Sequence, residues 1–266
     1  LAAIIMGNKV TRASQNIVLQ VDKVGNDALT ISSDTVIDLR GHDAEIYVQG
    51  GNVEIKDTLG EGRLTTNWEY GLTVDEGAAV VLENVEIDGA QIHGNVTMAN
   101  CTSNSRMDFM DGSVAVIKDG NFNKVFTYVG SSTTIYSGHI GLIESEGKVD
   151  MYGGNLYRAK VNANTFTIEG GKITNGAVEI GKRGTFKMNG GNLSNTNVYP
   201  GGVFIMNKGD ITNDKSPAIW LQYESNNVII NGGTINTKNA SVFAFPFDRY
   251  FRQGRTSNVT IHNGIF

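Results

Sequence analysis

The chain of 266 residues has a single cysteine, Cys101, which excludes an intramolecular disulfide and any cysteine-based zinc site. Proline is nearly absent, at 3 residues. No apolar run approaches the roughly 18 residues of a membrane span, so membrane insertion is not expected. Leu1 to Met6 is apolar but short, and it lacks the basic flank of a signal peptide. Basic clusters are missing too. The 22 Lys and Arg are outnumbered by 27 Asp and Glu, and a net charge of −5 argues against a nucleic-acid surface.

Glycine, by contrast, is plentiful, at 33 residues. The glycines follow no three-residue period, which excludes a collagen-like chain. β-branched residues run throughout and argue against disorder. The glycines mark a repeat of the form apolar-x-apolar-x-turn-Gly-x-apolar. It reads Phe166-Thr167-Ile168-Glu169-Gly170-Gly171-Lys172-Ile173, then Phe186-Lys187-Met188-Asn189-Gly190-Gly191-Asn192-Leu193, and again Val228-Ile229-Ile230-Asn231-Gly232-Gly233-Thr234-Ile235.

With the second glycine as anchor, the pattern recurs at His42, Thr58, Val85, Cys101, Gly120, Gly138, Gly154, Gly171, Gly191, Gly209, Gly233 and Gly264, mostly 16 to 20 residues apart. Three residues before every anchor stands Leu, Ile or Met, from Leu39 and Ile55 through Ile230 and Ile261. By composition such residues would fill roughly a quarter of positions. Alternation with period two means strands with one buried face. The period is too short for a strand-helix-strand unit of about 30 residues. It suits three short strands joined by tight turns, with like residues stacking about 4.8 Å apart from coil to coil. A leucine-rich repeat has a similar period but needs a leucine and asparagine consensus, which is not seen. The expected fold is therefore all-β, a right-handed single-stranded parallel β-helix of about twelve short coils. Glycine at the anchor suits a left-handed turn or close coil approach. Asn84, Asn100, Asp119 and Asn263 take the position before the anchor where glycine does not, and their types tolerate that region best.

Residues 1–34 are expected to form an opening segment with the first strands or a cap, and 35–266 the helix proper. Three coils are longer, with insertions at 59–71, 213–226 and 236–258. Insertions in solenoids become flanking loops, often for binding. They carry Trp68 and Tyr70; Trp220 and Tyr223; and Phe243, Phe245, Phe247, Arg249, Tyr250, Phe251, Arg252 and Arg255. The last group suits a protein interface or a cap. Asn263-Gly264-Ile265-Phe266 stops inside a repeat, so further chain or a partner is expected beyond Phe266.

The opening residues run Asn16-Ile17-Val18-Leu19, Leu29-Thr30-Ile31, Thr35-Val36-Ile37-Asp38-Leu39-Arg40-Gly41-His42 and Val53-Glu54-Ile55-Lys56-Asp57. This resembles the "IDLNGH … I … VTIKD" start of pectin-lyase-like β-helix modules, with Arg40 where asparagine is usual. Such modules occur in bacterial surface proteins and in phage tail or head appendages. The resemblance implies an extracellular, cell-surface or virion location, and a homotrimer in the phage version. It also raises the alternative of a polysaccharide lyase or glycoside hydrolase.

Hydrolysis needs two carboxylates roughly 5 to 9.5 Å apart. Asp108 with Asp111 and Glu144 with Glu146 are the local pairs, and solvated surface groups are the plainer reading. Lyases of this fold use calcium with an Arg or Lys base. Asp150 and Glu169, near equivalent positions one coil apart, with Arg158 or Lys160, are the candidates, but they form no dense acidic cluster. His42, His93, His139 and His262 share no coil face, so no metal trio is expected. Cys101 reads as a small turn residue. No catalytic residue, cofactor or metal is assigned. Tyr136 and Tyr152, two before their anchors, should stack outward with Tyr157 and Arg158 nearby, either as a sugar platform or as cross-strand support. Asn189, Asn207 and Asn231 at the same position read as an amide ladder. The expected function is that of a rigid, non-catalytic adhesion, recognition or structural module, with a cell-surface glycan as the candidate partner.

Overall fold

In the computed structural model, residues 15–66, 70–221, 225–244 and 256–265 are described. They form a parallel β-solenoid of about 11 turns, consistent with a right-handed β-helix. Twelve anchors bound eleven intervals, which reconciles this count with the number of repeats in the sequence.

Each turn contributes to three faces. The first face begins with Gln15–Val18, which pairs in parallel with Thr35–Asp38, and that with Asn52–Lys56. It continues in register to Ser225–Ile230 and Thr256–Ile261. The second face holds short segments after the anchors, such as Arg63–Leu64, Glu86–Ile87 and Asn192–Ser194. The third runs from Leu29–Ile31 through Ile46–Val48, Leu72–Val74 and Ala90–Ile92 to Asn197–Pro200, Ile219–Trp220 and Phe243–Ala244. Every pairing is between residues about one turn apart, so each coil is held by its neighbours.

Alternating side chains point into the space between the faces. Ile55, Leu82, Met98, Ile117, Ile168, Met188 and Ile230 are completely buried. The predicted ring ladder is present: Phe166 and Phe186 have centroids 5.4 Å apart, and Phe186 and Phe204 6.1 Å. Ile261, on the last described rung, is 46% exposed.

The first coil departs from the expected register. Ile37 pairs with Ile55 and Thr35 with Val53, so the position equivalent to the later anchors is Arg40 rather than His42. A slip of two residues preserves in-and-out alternation, so hydrophobic pattern could not detect it. Arg40 has φ 50°, the left-handed conformation in which asparagine is the common non-glycine choice.

At the corner between first and second faces, Gly171 combines φ +80° with a backbone approach: a Cβ there would lie 2.7 Å from the Gly153 carbonyl carbon. Asn84 and Asn100 take left-handed φ of 57° and 52°, as expected. Asp119 does not. The following Gly120 takes the positive φ of 141°, and Asp119 Oδ1 accepts its N–H at 2.8 Å.

Tight turns do not join all strands. Asn155–Ile168 and Lys172–Met188 pass through all three faces as bent strands, with register shifts between Leu156 and Arg158 and between Val161 and Ala163. Bulges bend the chain without ending the ladder. The longer coils keep their regular strands inside the extra length: Arg63–Leu64 lies within 59–71, Ile219–Trp220 within 213–226 and Phe243–Ala244 within 236–258. Asp57 organises the first of these. Its carboxylate accepts N–H groups of Gly41 and Gly62 at 2.7 Å and of Leu59 at 3.2 Å. Burial opposes its ionisation, but these backbone donors outweigh burial and hold its pKa below the usual carboxylate range.

A candidate binding notch on the third face

The outward positions of the third face form columns along the rod. One column reads Gln91, Asp108, Phe126, Glu144, Lys160, Glu179 and Tyr199. The column beside it reads Arg106, Lys124, Leu142, Arg158, Ala177 and Asn197. The small Ala177 between Arg158 and Asn197, next to Gly176, leaves a notch. Its volume is about 530 Å³, and Tyr157, Arg158, Asn175, Glu179 and Tyr199 line it around this floor.

Arg158 Nη2 is hydrogen-bonded to Glu179 Oε1 across one coil. Tyr157 is 52% exposed. The Tyr199 ring stacks on Trp220, with centroids 6.3 Å apart and planes at 25°. Two of the expected binding residues, Tyr157 and Arg158, are thus brought together, and Trp220 supports the wall from the next coil. Glu179, Tyr199 and Asn175 were missed. Third-face pairing brings them beside Arg158, which shares its column with Ala177 and Asn197 rather than with Glu179 and Tyr199, so no even spacing along the chain marks the set.

Tyr136 and Tyr152 are elsewhere. They stack as predicted, with centroids 5.5 Å apart and planes at 16°, but they sit at the corner between first and second faces. The strand residues Asn155 and Leu156 stand between Tyr152 and Tyr157 in the chain, and Tyr157 and Arg158 line the notch. Rings stacked on each other cover one face apiece, which suits cross-strand support. Beyond them the same position continues as a chain of hydrogen bonds, each 2.7 Å: Asn231 Nδ2 to Asn207, Asn207 Nδ2 to Asn189, and Asn189 Nδ2 to the Glu169 carboxylate.

Tyr70 closes a separate cluster. Its hydroxyl donates to Asp108 Oδ2 at 2.5 Å, and Arg106 Nε donates to Asp108 Oδ1 at 2.6 Å. The Arg106 guanidinium also binds the Tyr128 hydroxyl and lies 4.2 Å from the Phe126 ring centroid. Asp108 is buried beneath these partners, while Asp111 is exposed at the following turn. Glu144 accepts from Lys160 at 2.6 Å and Asn162 at 2.7 Å. Burial raises its pKa less than these bonds and the charges of Lys160 and Arg106 lower it, so it stays below the ordinary value.

Asp150 and Glu169 are not equivalent. Register pairs Asp150 with Thr167, two residues short of Glu169. Asp150 is bound by Lys148 at 2.6 Å and Glu169 by Asn189, whereas Arg158 and Lys160 are engaged with Glu179 and Glu144. Among the described residues, no group of three or more His, Cys, Asp or Glu is placed to hold a metal. His42 Nδ1 lies 3.3 Å from Asp22. Cys101 is completely buried, and burial pushes its thiol pKa up to about 11. Among the described residues no helix is long and apolar enough to cross a membrane. Trp68, Tyr223, Phe245, Phe247, Arg249, Tyr250, Phe251 and Arg252 lie outside the described residues.

Comparison with protein families, with curated proteins and with solved structures finds no match to this chain.

Proposed function

We propose that this chain is a non-catalytic recognition module of the pectin-lyase-like kind, displayed extracellularly or on a virion, which binds a glycan on its third face. The notch carries this reading. It joins aromatic side chains, whose apolar faces suit sugar rings, to a guanidinium and a carboxylate of complementary hydrogen-bonding sense. These groups stand on strands tied to both neighbouring coils, which keeps them preorganised.

The degradative alternative draws on the same column, where Asp108, Glu144 and Glu179 recur at every second coil. Two coils separate backbones by about 9.6 Å, at the wide end of the range for inverting hydrolysis. A general acid must hold its proton near neutral pH. Glu144 is shifted the opposite way, and Asp108 and Glu179 are each bound to an arginine. The carboxylates therefore support a charge-matched surface better than an acid–base pair.

A glycan array probed with the full chain tests this, with each hit incubated and assayed for new reducing ends and unsaturated sugars. Binding without cleavage is expected, with loss in Tyr199→Ala and Trp220→Ala. Cleavage would overturn the reading. Gel filtration distinguishes the two settings: a trimer mass supports a phage appendage, a monomer mass a bacterial adhesin.

A further inference from the structure

We infer that the notch takes a neutral sugar bearing adjacent hydroxyls rather than an acidic one; this rests on the recognition reading above. The notch holds one guanidinium and one carboxylate, Arg158 and Glu179, already bound to each other. The pairing extends along the third face. Lys160 is matched by Glu144 at 2.6 Å and Arg106 by Asp108 at 2.6 Å. An anionic sugar reaching the remaining N–H groups of Arg158 would face the Glu179 carboxylate at close range, where like charges repel.

A neutral sugar need not break the pair. Arginine donates only, and an ionised carboxylate accepts only. Two neighbouring hydroxyls can meet that combination, one accepting from Arg158 and the other donating to Glu179. The Asn175 amide on the rim can do either. The walls agree with this. Tyr199 is stacked on Trp220 at the edge of the notch, and Tyr157 is exposed on the Arg158 coil. Gly176 and Ala177 keep the floor free of bulk. The volume of about 530 Å³ falls in the range of small-ligand sites, about 300–1,000 Å³.

The test is direct binding of the full chain to neutral hexose oligomers and to their uronate counterparts, at low and high NaCl. The expected result is capture of neutral oligomers with at most about a twofold change across the salt range, because screening acts on charge–charge attraction. Glu179→Gln and Arg158→Ala, with their fold checked by circular dichroism, should each weaken binding by about tenfold. Preference for uronates with steep salt dependence, or tighter binding in Glu179→Gln, overturns the neutral-sugar inference and leaves glycan recognition standing. Neutral binding that both variants retain moves the site elsewhere and also overturns it. Capture of neither series defeats the recognition reading together with the inference.

Discussion

At the residue scale, polar groups inside or beneath the coils are where single substitutions have predictable signs. Thr133 occupies an inward position between Ala115 and Val149 in the ladder. Its hydroxyl has no hydrogen-bond partner among the described residues. A buried, unsatisfied hydroxyl costs free energy, so Thr133→Val is expected to stabilise the protein by about 1 kcal/mol, measured by urea unfolding. Asp57 is the converse case, a buried carboxylate saturated by backbone donors. Asp57→Asn should cost about 2 kcal/mol at neutral pH. Its folded pKa lies below the unfolded value of about 3.9. Its contribution is therefore complete above that value and fades as pH falls through the folded pKa. Unfolding followed from pH 7 into the acid range should show the wild type converging on the variant, and parallel curves would contradict this.

At the element scale, the ladders are directional. In the chain Asn231, Asn207, Asn189 and Glu169, every amide nitrogen donates one way and the carboxylate terminates the series. Asn207→Ala removes two such bonds and is expected to cost about 1–2 kcal/mol. Asn207→Asp should be worse at pH 7, because a carboxylate oxygen then faces the Asn189 carbonyl oxygen with no proton between them. Lowering the pH toward 4 should restore part of that loss by protonation. Equal stability of the two variants at pH 7 would show that the chain of amides is not energetically coupled. The bent strands matter at this scale too, since the bulges in Asn155–Ile168 and Lys172–Met188 bring the corner residues Tyr157 and Gly176 alongside the outward column.

At the scale of the whole molecule, each coil contacts only its neighbours, so stability should be distributed as in a one-dimensional stack. Cys101 lies in the interior of that stack, completely buried, with its thiol held up near pKa 11. Disulfide-exchange reagents should label it only when central coils open. Labelling in increasing urea should therefore lag behind the first loss of far-ultraviolet signal, as end coils open before the middle. Rapid labelling in buffer would refute this.

Sequence alone determined the fold, because a solenoid writes its buried face as a period: large aliphatics three residues before each glycine corner, stacked rings at 166, 186 and 204, and asparagines where the corner needs a left-handed residue. The same local regularity made the stacked Tyr136 and Tyr152 and the Asn189, Asn207 and Asn231 series legible. The register of the first coil was not, since a shift of two residues leaves alternation intact, and only the pairing of Ile37 with Ile55 decided it. Nor was the notch. Arg158, Glu179 and Tyr199 lie on three successive coils whose third-face strands are joined by bulges and corners of unequal length. Spacing along the chain therefore does not reveal which of them share a column. The ladder hydrogen bonds do, and they give Arg158 its partner, Tyr199 its supporting tryptophan and the small Ala177 its role as the floor.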